Sequence, residues 1–139
     1  MMAYQGYLIK IGNDMFPHKY IISASYKVKP NQRLDLDSTR NANGILQRKV
    51  LEHMPSTVEF QIGQGFPTFT DDVLEECMKV IRANYANANE RKVPITFYCP
   101  DTNDYKTETA YMPDPEYTID RMDSEHVYYS SFTFKFIGY

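Results

Sequence analysis

Only one stretch of this chain, from Leu74 to Ala88, brings apolar side chains back every three or four residues. Leu74, Cys77, Met78, Ile81, Tyr85 and Ala88 form one stripe of about four helical turns, while Glu75, Lys79, Arg82 and Asn84 fall largely elsewhere. The other foldable segments are short, alternate between apolar and polar, and are separated by turn residues, which is the pattern of half-buried strands. Short connections between strands favour antiparallel pairing, and a single helix must bury its stripe against the sheet. The expected fold is therefore mainly β: a mostly antiparallel β-sandwich or flattened barrel of about seven strands. One amphipathic α-helix at about residues 70–90 plugs an open edge or end. A chain of 139 residues suits one core, so residues 1–139 read as a single domain.

The strands can be placed individually. Tyr4 to Ile11 alternates weakly and ends at the turn residues Gly12-Asn13-Asp14, and Tyr20 to Val28 reads as its hairpin partner across a loop containing Pro17. Thr57 to Ile62 puts Val58, Phe60 and Ile62 on one face, which should be buried. Gly63, Gly65 and Pro67 end that strand, and Thr68-Phe-Thr-Asp-Asp72 supplies hydroxyl caps and first-turn acids for the helix. Val93 to Tyr98 and Tyr105 to Met112 form a strand and its return around the Asp101-Thr-Asn-Asp104 turn. Glu116 to Tyr139 holds two more strands joined at Met122 to His126, with Phe132, Phe134 and Phe136 on one face.

Between the second and third of these extended segments lies a long polar arm, residues 29–49, for which the core has no use. A polar connection of that length in a small chain belongs to a partner surface or is mobile. Asn43-Gly44 is its sharpest local signal, since both residues tolerate positive φ and favour a tight hairpin turn. The arm is thus expected to be a long β-hairpin with its tip at Asn41 to Gly44, ordered most economically against a partner.

Charge narrows the partners. A net charge of −3 gives no general reason to bind nucleic acid, which needs excess clustered Lys and Arg. The local exception is the arm region, where Lys27, Lys29, Arg33, Arg40, Arg48 and Lys49 face only Asp35 and Asp37. This reads as an interface pattern in preference to a phosphate track. Cys77 and Cys99 read as two free thiols. The chain opens Met1-Met2-Ala-Tyr-Gln-Gly with no charged leader, and no long apolar run follows, so a secretory or membrane-spanning segment is not expected.

No catalytic or cofactor constellation emerges. His18, His53 and His126 lie far apart without metal-ligand spacing and read as surface histidines, so neither a metal nor a cofactor is expected. Asp35 and Asp37 sit on the arm, where nothing apolar encloses them to tune a carboxyl for acid–base work. Ser130-Ser131 lacks a nucleophile elbow, Cys77 falls in the helix stripe, and Gly63-Gln-Gly65-Phe66 lacks the Lys and hydroxyl of a phosphate loop. Tyr98, Tyr105, Tyr111, Tyr117, Tyr128 and Tyr129 could stack sugars or bases, but without interleaved basic residues they better suit a surface packed on a neighbouring subunit.

Several segments together resemble a family of small tail proteins carried by phages and prophages of Gram-positive bacteria. They are Tyr4-Gln-Gly-Tyr-Leu-Ile-Lys-Ile-Gly12, Ser25-Tyr-Lys-Val-Lys-Pro-Asn-Gln-Arg-Leu-Asp-Leu-Asp37 with Asn43-Gly44 and Arg48, Ile81-Arg-Ala-Asn-Tyr85, Glu90-Arg-Lys92 and Tyr111-Met-Pro113. The likeness spans nearly the whole chain and rests on these segments, not on a catalytic motif.

The resemblance implies a non-enzymatic virion structural protein of the tail-tube fold group. Such proteins form rings, usually of six subunits, through which DNA passes without specific binding, next to other tail proteins such as the tube, hub and tape measure. It further implies a place near the tail tip as a distal-tail or baseplate-hub component, the alternative being the major tail tube. In that fold group an early extended hairpin contacts adjacent subunits or the next ring, and Lys29, Arg33, Asp35, Asp37, Arg40, Asn43, Gly44 and Arg48 occupy that position here. A rival of another class is a carbohydrate-binding module using the tyrosine face.

Overall fold

The computed structural model describes residues 4–36, 38–63 and 69–139. It contains strands β1 (Ile9–Ile11), β2 (Asp14–Met15), β3 (Lys27–Lys29), β4 (Thr39–Arg40), β5 (Leu46–Gln47) and β6 (Thr57–Ile62), then helix α1 (Asp71–Ala83). Strands β7 (Lys92–Cys99), β8 (Asp104–Tyr111), β9 (Ile119–Met122), β10 (Val127–Tyr129) and β11 (Phe132–Gly138) follow. Seven strands form one antiparallel sheet in the order β2-β1-β7-β8-β11-β6-β3, and β4-β5 and β9-β10 form two separate ribbons. The protein is thus mainly β with one helix, as the patterning predicts.

Alternation along the strands sets the core. Val58, Phe60 and Ile62 of β6 and Phe132, Phe134 and Phe136 of β11 are all buried, and they pair in register as Phe132 with Ile62, Phe134 with Phe60 and Phe136 with Val58. Val93, Ile95, Phe97 and Cys99 of β7 and Ile9 and Ile11 of β1 continue the same face. Helix α1 closes this layer with Val73, Cys77, Met78 and Ile81, so its stripe and the sheet share one apolar cluster. Phe60 is central, meeting Phe16, Tyr26, Phe134 and Phe136 at centroid separations of 5.0–6.3 Å. Each such ring contributes about 1.5–3 kcal/mol by leaving water. Tyr26, just before β3, stacks on Phe60 and donates its hydroxyl to the Leu8 carbonyl just before β1. The second and seventh strands of the order are thereby drawn together, and the sheet curls around its core.

Four sequence expectations are corrected. Helix α1 stops at Ala83, short of residue 90, because the Asn84 side chain turns back to the Val80 carbonyl and reaches the Asp14 carboxylate. Ala88, which continues the helical spacing, lies instead in the turn closed by the Asn87–Lys92 bridge, and Tyr85 in the irregular segment that leads into it. At the start of the helix, Thr70 makes no side-chain cap bond, and Thr68 lies outside the described residues. Tyr20 to Val28 is not the partner of the first strand. It is broken by two 3₁₀ turns, His18–Tyr20 and Ser23–Ser25, the second held by the Ser25 hydroxyl on the Ile22 carbonyl, and only Lys27–Lys29 is a strand, paired with β6. Finally, the last segment holds three strands, not two, because the chain breaks at Ser130-Ser131, where the Ser130 N–H turns to the Thr118 carbonyl.

Candidate functional site: the hairpin arm and its root

The arm folds on itself. Strands β4 and β5 pair Thr39 with Gln47 and Arg40 with Leu46, and the ladder continues toward the body through an Asp35–Val50 bridge and the Leu51 N–H on the Leu34 carbonyl, 2.8 Å. The pairs shift register by one residue between the two halves, leaving an extra residue on the outgoing strand. Position 37 falls in that interval and lies outside the described residues, so the expectation for Asp37 does too.

At the tip the Gly44 N–H donates to the Asn41 carbonyl and the Asn41 N–H donates to the Ile45 carbonyl, both at 2.9 Å. The Asn41 side-chain oxygen accepts from the N–H groups of Asn43 and Ile45, each at 3.0 Å. Gly44 has φ +79°, whereas Asn43 keeps an ordinary negative φ. The tip is therefore a three-residue loop with the left-handed position on Gly44, not the two-residue Asn-Gly turn that the sequence suggests. Asn41 makes the difference, since its side chain closes an Asx turn one residue earlier than the dipeptide rule assumes.

The predicted arm residues are brought together, but largely to serve the hairpin. Arg48 pairs with Asp35 at 2.6 Å, Arg40 donates to the Gly44 carbonyl at 2.9 Å, and Arg33 donates to the carbonyl of Asn31. Lys29 stands apart on β3, lining a small pocket with Lys27, Gln32, Thr57, Glu59 and Lys135. Sequence reasoning missed the apolar component. Leu34, Leu36, Ile45, Leu46, Val50 and Leu51 are all exposed, Ile45 by 59% and Leu36 by 56%. Strand alternation puts Leu34, Leu36, Ile45 and Leu51 on one face of the hairpin and the Asp35–Arg48 pair with Leu46 and Val50 on the other. The signal was available in Leu34-x-Leu36 and in Val50-Leu51, but reading the segment as uniformly polar hid it.

The root of the arm is held by a polar cluster that the sequence did not announce. Lys106 and Glu108 lie on the core face of β8, opposite Phe97 and Ile95 of β7. Lys106 Nζ donates to Asn31 Oδ1 at 2.7 Å and to the Met54 carbonyl at 3.1 Å, and lies 3.3 Å from Glu108 Oε2. Glu108 Oε1 accepts from the Ser56 N–H at 2.8 Å, and the buried Ser56 hydroxyl accepts from the Asn31 N–H at 3.0 Å. Asn31 has φ +50°, a conformation Asn tolerates better than most residues. Both strands of the arm, at Asn31 on the way out and at Met54 to Ser56 on the way back, are thus tied to β8. Gly138 makes room for this: a Cβ there would collide with the Glu108 carboxylate and lie 2.9 Å from the Ser56 carbonyl.

A family of unknown function, DUF6711, matches residues 2–139. The chain belongs to the DUF6711 family. No curated protein and no solved structure matches it. The family match spans both the curled sheet and the arm, so the projecting hairpin lies within the region that defines DUF6711.

The remaining candidates in this DUF6711 chain make contacts within the fold. His18 is half-buried, not a surface histidine: its Nε2 accepts from the Leu8 and Ile9 N–H groups, and burial lowers its pKa against a weaker upward effect from the Phe16 backbone. His126 lies beside the start of α1, its Nδ1 3.0 Å from Asp71 and 3.7 Å from Asp72. The bond to Asp71 raises the His126 pKa and lowers that of Asp71, whose Oδ1 also accepts from the Val127 N–H. These side chains dock ribbon β9-β10 on the helix, so the first-turn acid expected to serve the helix dipole holds a neighbouring ribbon as well. Cys77 and Cys99 are free and buried, and burial pushes the Cys77 thiol up to about 12. The tyrosines separate into small groups. Tyr98 and Tyr105 meet edge to face, Tyr105 stacks on Tyr7, Tyr111 meets Tyr139, and Tyr117 stacks on Phe132.

Proposed function

We propose that this chain is a non-enzymatic phage tail structural protein that oligomerises into a ring around the DNA channel, as a distal-tail or baseplate-hub component. Its mechanism is assembly: the arm leaves its own subunit and buries its aliphatic face on a neighbour. The observation that carries this reading is a hairpin paired with itself, tied at its root to β8, and exposing six aliphatic side chains to solvent. Exposed apolar groups on a projecting element mark an interaction surface, and folding a polar hairpin with no core of its own stabilises little unless a partner covers it. A ring of six, neighbours among the tube, hub and tape-measure proteins, and a virion location follow from the resemblance that Ser25–Asp37 and Asn43-Gly44 carry.

The test is the mass of the purified protein across a concentration series by light scattering, paired with negative-stain microscopy. Closed rings from the native chain and monomers from Leu36→Asp/Leu51→Asp support the proposal. Rings that stack into long tubes favour the major tail tube instead. A native chain that stays monomeric and binds glycans returns the question to the carbohydrate-binding reading, which the division of the tyrosines into separate groups does not favour.

A further inference from the structure

The main sheet contains an unpaired edge in its interior. Strand β11 pairs along its length with β6, but pairs with β8 only at Ile137 to Tyr111 and Gly138 to Ala110. Backbone direction alternates along β11: the Gly138 N–H goes to the Ser56 carbonyl on the β6 side and the Tyr139 N–H to the Thr109 carbonyl on the β8 side. Thr133 and Lys135 therefore aim their N–H and C=O groups to the β8 side, beyond the end of β8 at Tyr111, where pairing with β11 stops. Those groups find no partner among the described residues. Beside them runs an open groove of about 410 Å³, walled by Met112, Pro113, Asp114, Pro115, Glu116 and Thr118.

The arm has the complementary edge. The Ile45 and Lys49 carbonyls and the Leu51 N–H are used inside the hairpin, so Leu46, Arg48 and Val50 direct their backbone groups outward. We propose that the outward-facing edge of the returning arm strand, Leu46 to Val50, adds to β11 of a second copy of the chain beside Thr133 and Lys135. Two hydrogen-bonding residues at a spacing of two meet a strand offering groups at the same spacing, which is recognition by strand addition. The charges agree. The strand carries Lys49 and Arg48, the latter shared with Asp35 of its own hairpin, and the groove wall carries Glu116, which has no basic partner among the described residues, and Asp114, which shares Arg91; among the described residues Lys135 is the one basic side chain lining the groove. The groove on one copy and the arm on the next are different surfaces, so the contact is head to tail and closes into a ring when its rotation allows.

This inference rests on the ring reading above, and charge exchange separates the two. The assembly is measured by light scattering for the native chain, Asp114→Lys/Glu116→Lys, Arg48→Glu/Lys49→Glu and the fourfold combination, with Thr133→Pro as a backbone probe. The proline removes an N–H that the internal ladder with β6 does not use. The expected result is monomers from each double variant and from Thr133→Pro, rings again from the fourfold variant, and hydrogen exchange over residues 131–136 slowed at least tenfold on assembly of the native chain. Circular dichroism spectra matching the native chain confirm that the variants fold. Rings from Asp114→Lys/Glu116→Lys, with unslowed exchange at 131–136, overturn the groove as acceptor while leaving the ring reading intact. A native chain monomeric at every concentration overturns both.

Discussion

Lys106 and Glu108 point into the same side of β8 as the core residues opposite them, and their ion pair at 3.3 Å ties the arm to the sheet. The Glu108 side chain is only 6% exposed, and its Oε2 makes no hydrogen bond among the described residues beyond the charge contact with Lys106. A carboxylate so placed is kept by its partners: the Lys106 ammonium on one oxygen and the Ser56 N–H on the other. Removing Glu108 leaves the Lys106 ammonium with only the neutral oxygens of Asn31 and Met54 and the Ser56 N–H without its acceptor, which costs more than the intact pair contributes.

Glu108→Ala is therefore expected to destabilise the fold by about 2–3 kcal/mol, below the range for fully buried pairs because Lys106 is one-third exposed. Gly138→Ala, which crowds the same carboxylate, should act in the same direction. Urea unfolding curves compared by midpoint at constant slope measure both. A change within about 0.5 kcal/mol for Glu108→Ala would remove the root cluster from the account.

Replacing residues 34–51 by a short turn should leave unfolding of the monomer within about 0.5 kcal/mol of the native chain, because the described residues of this segment contribute nothing to the core cluster. Loss of assembly without loss of stability is the expected pairing, read by light scattering and thermal unfolding on the same samples. Equal losses of both would mean that the arm belongs to the fold.

The two contrasting histidines make opposite contributions to stability with pH. His18 has a folded pKa below its ordinary 6.5, chiefly through burial, so its contribution is complete above pH 6.5 and is lost as pH falls toward the folded value. His126 has a folded pKa above 6.5, chiefly through its bond to Asp71, so its contribution is present below pH 6.5 and is lost as pH rises through the raised value. NMR titration of the ring protons should place His18 below 6.5 and His126 above it. The reverse order would contradict the hydrogen bonds assigned to both rings.

Both thiols should resist modification in the folded protein. Cys77 and Cys99 are buried, and a Cys77 pKa near 12 leaves almost no thiolate at neutral pH. A thiol reagent should react with both on the timescale of unfolding in urea and far more slowly without it. Rapid native labelling of either would show that the helix and sheet do not close over it.

The elements that could be read directly were those whose face repeats. Val58-x-Phe60-x-Ile62 and Phe132-x-Phe134-x-Phe136 fix both the strands and their buried sides, because a period of two admits one inward set per strand. The stripe from Leu74 to Ile81 fixes the helix in the same way, and Asn41 to Gly44 marks the hairpin tip. What misled was local pattern without knowledge of neighbours. Tyr85 and Ala88 kept the helical spacing, yet the helix ended because Asn84 found Asp14, 70 positions earlier in the chain.

The sequence by itself determined a mainly β chain with one helix and a projecting arm, since these follow from periodicity and turn chemistry within short windows. Only the tertiary structure decided that Tyr20 to Val28 abandons the first strand, that Lys106 and Glu108 clamp the arm root, and that β11 is left with an open edge beside Thr133 and Lys135. Each of these depends on which distant segment arrives alongside. A backbone group or buried charge takes the partner that the assembled fold puts within about 3 Å, and no local window specifies that partner.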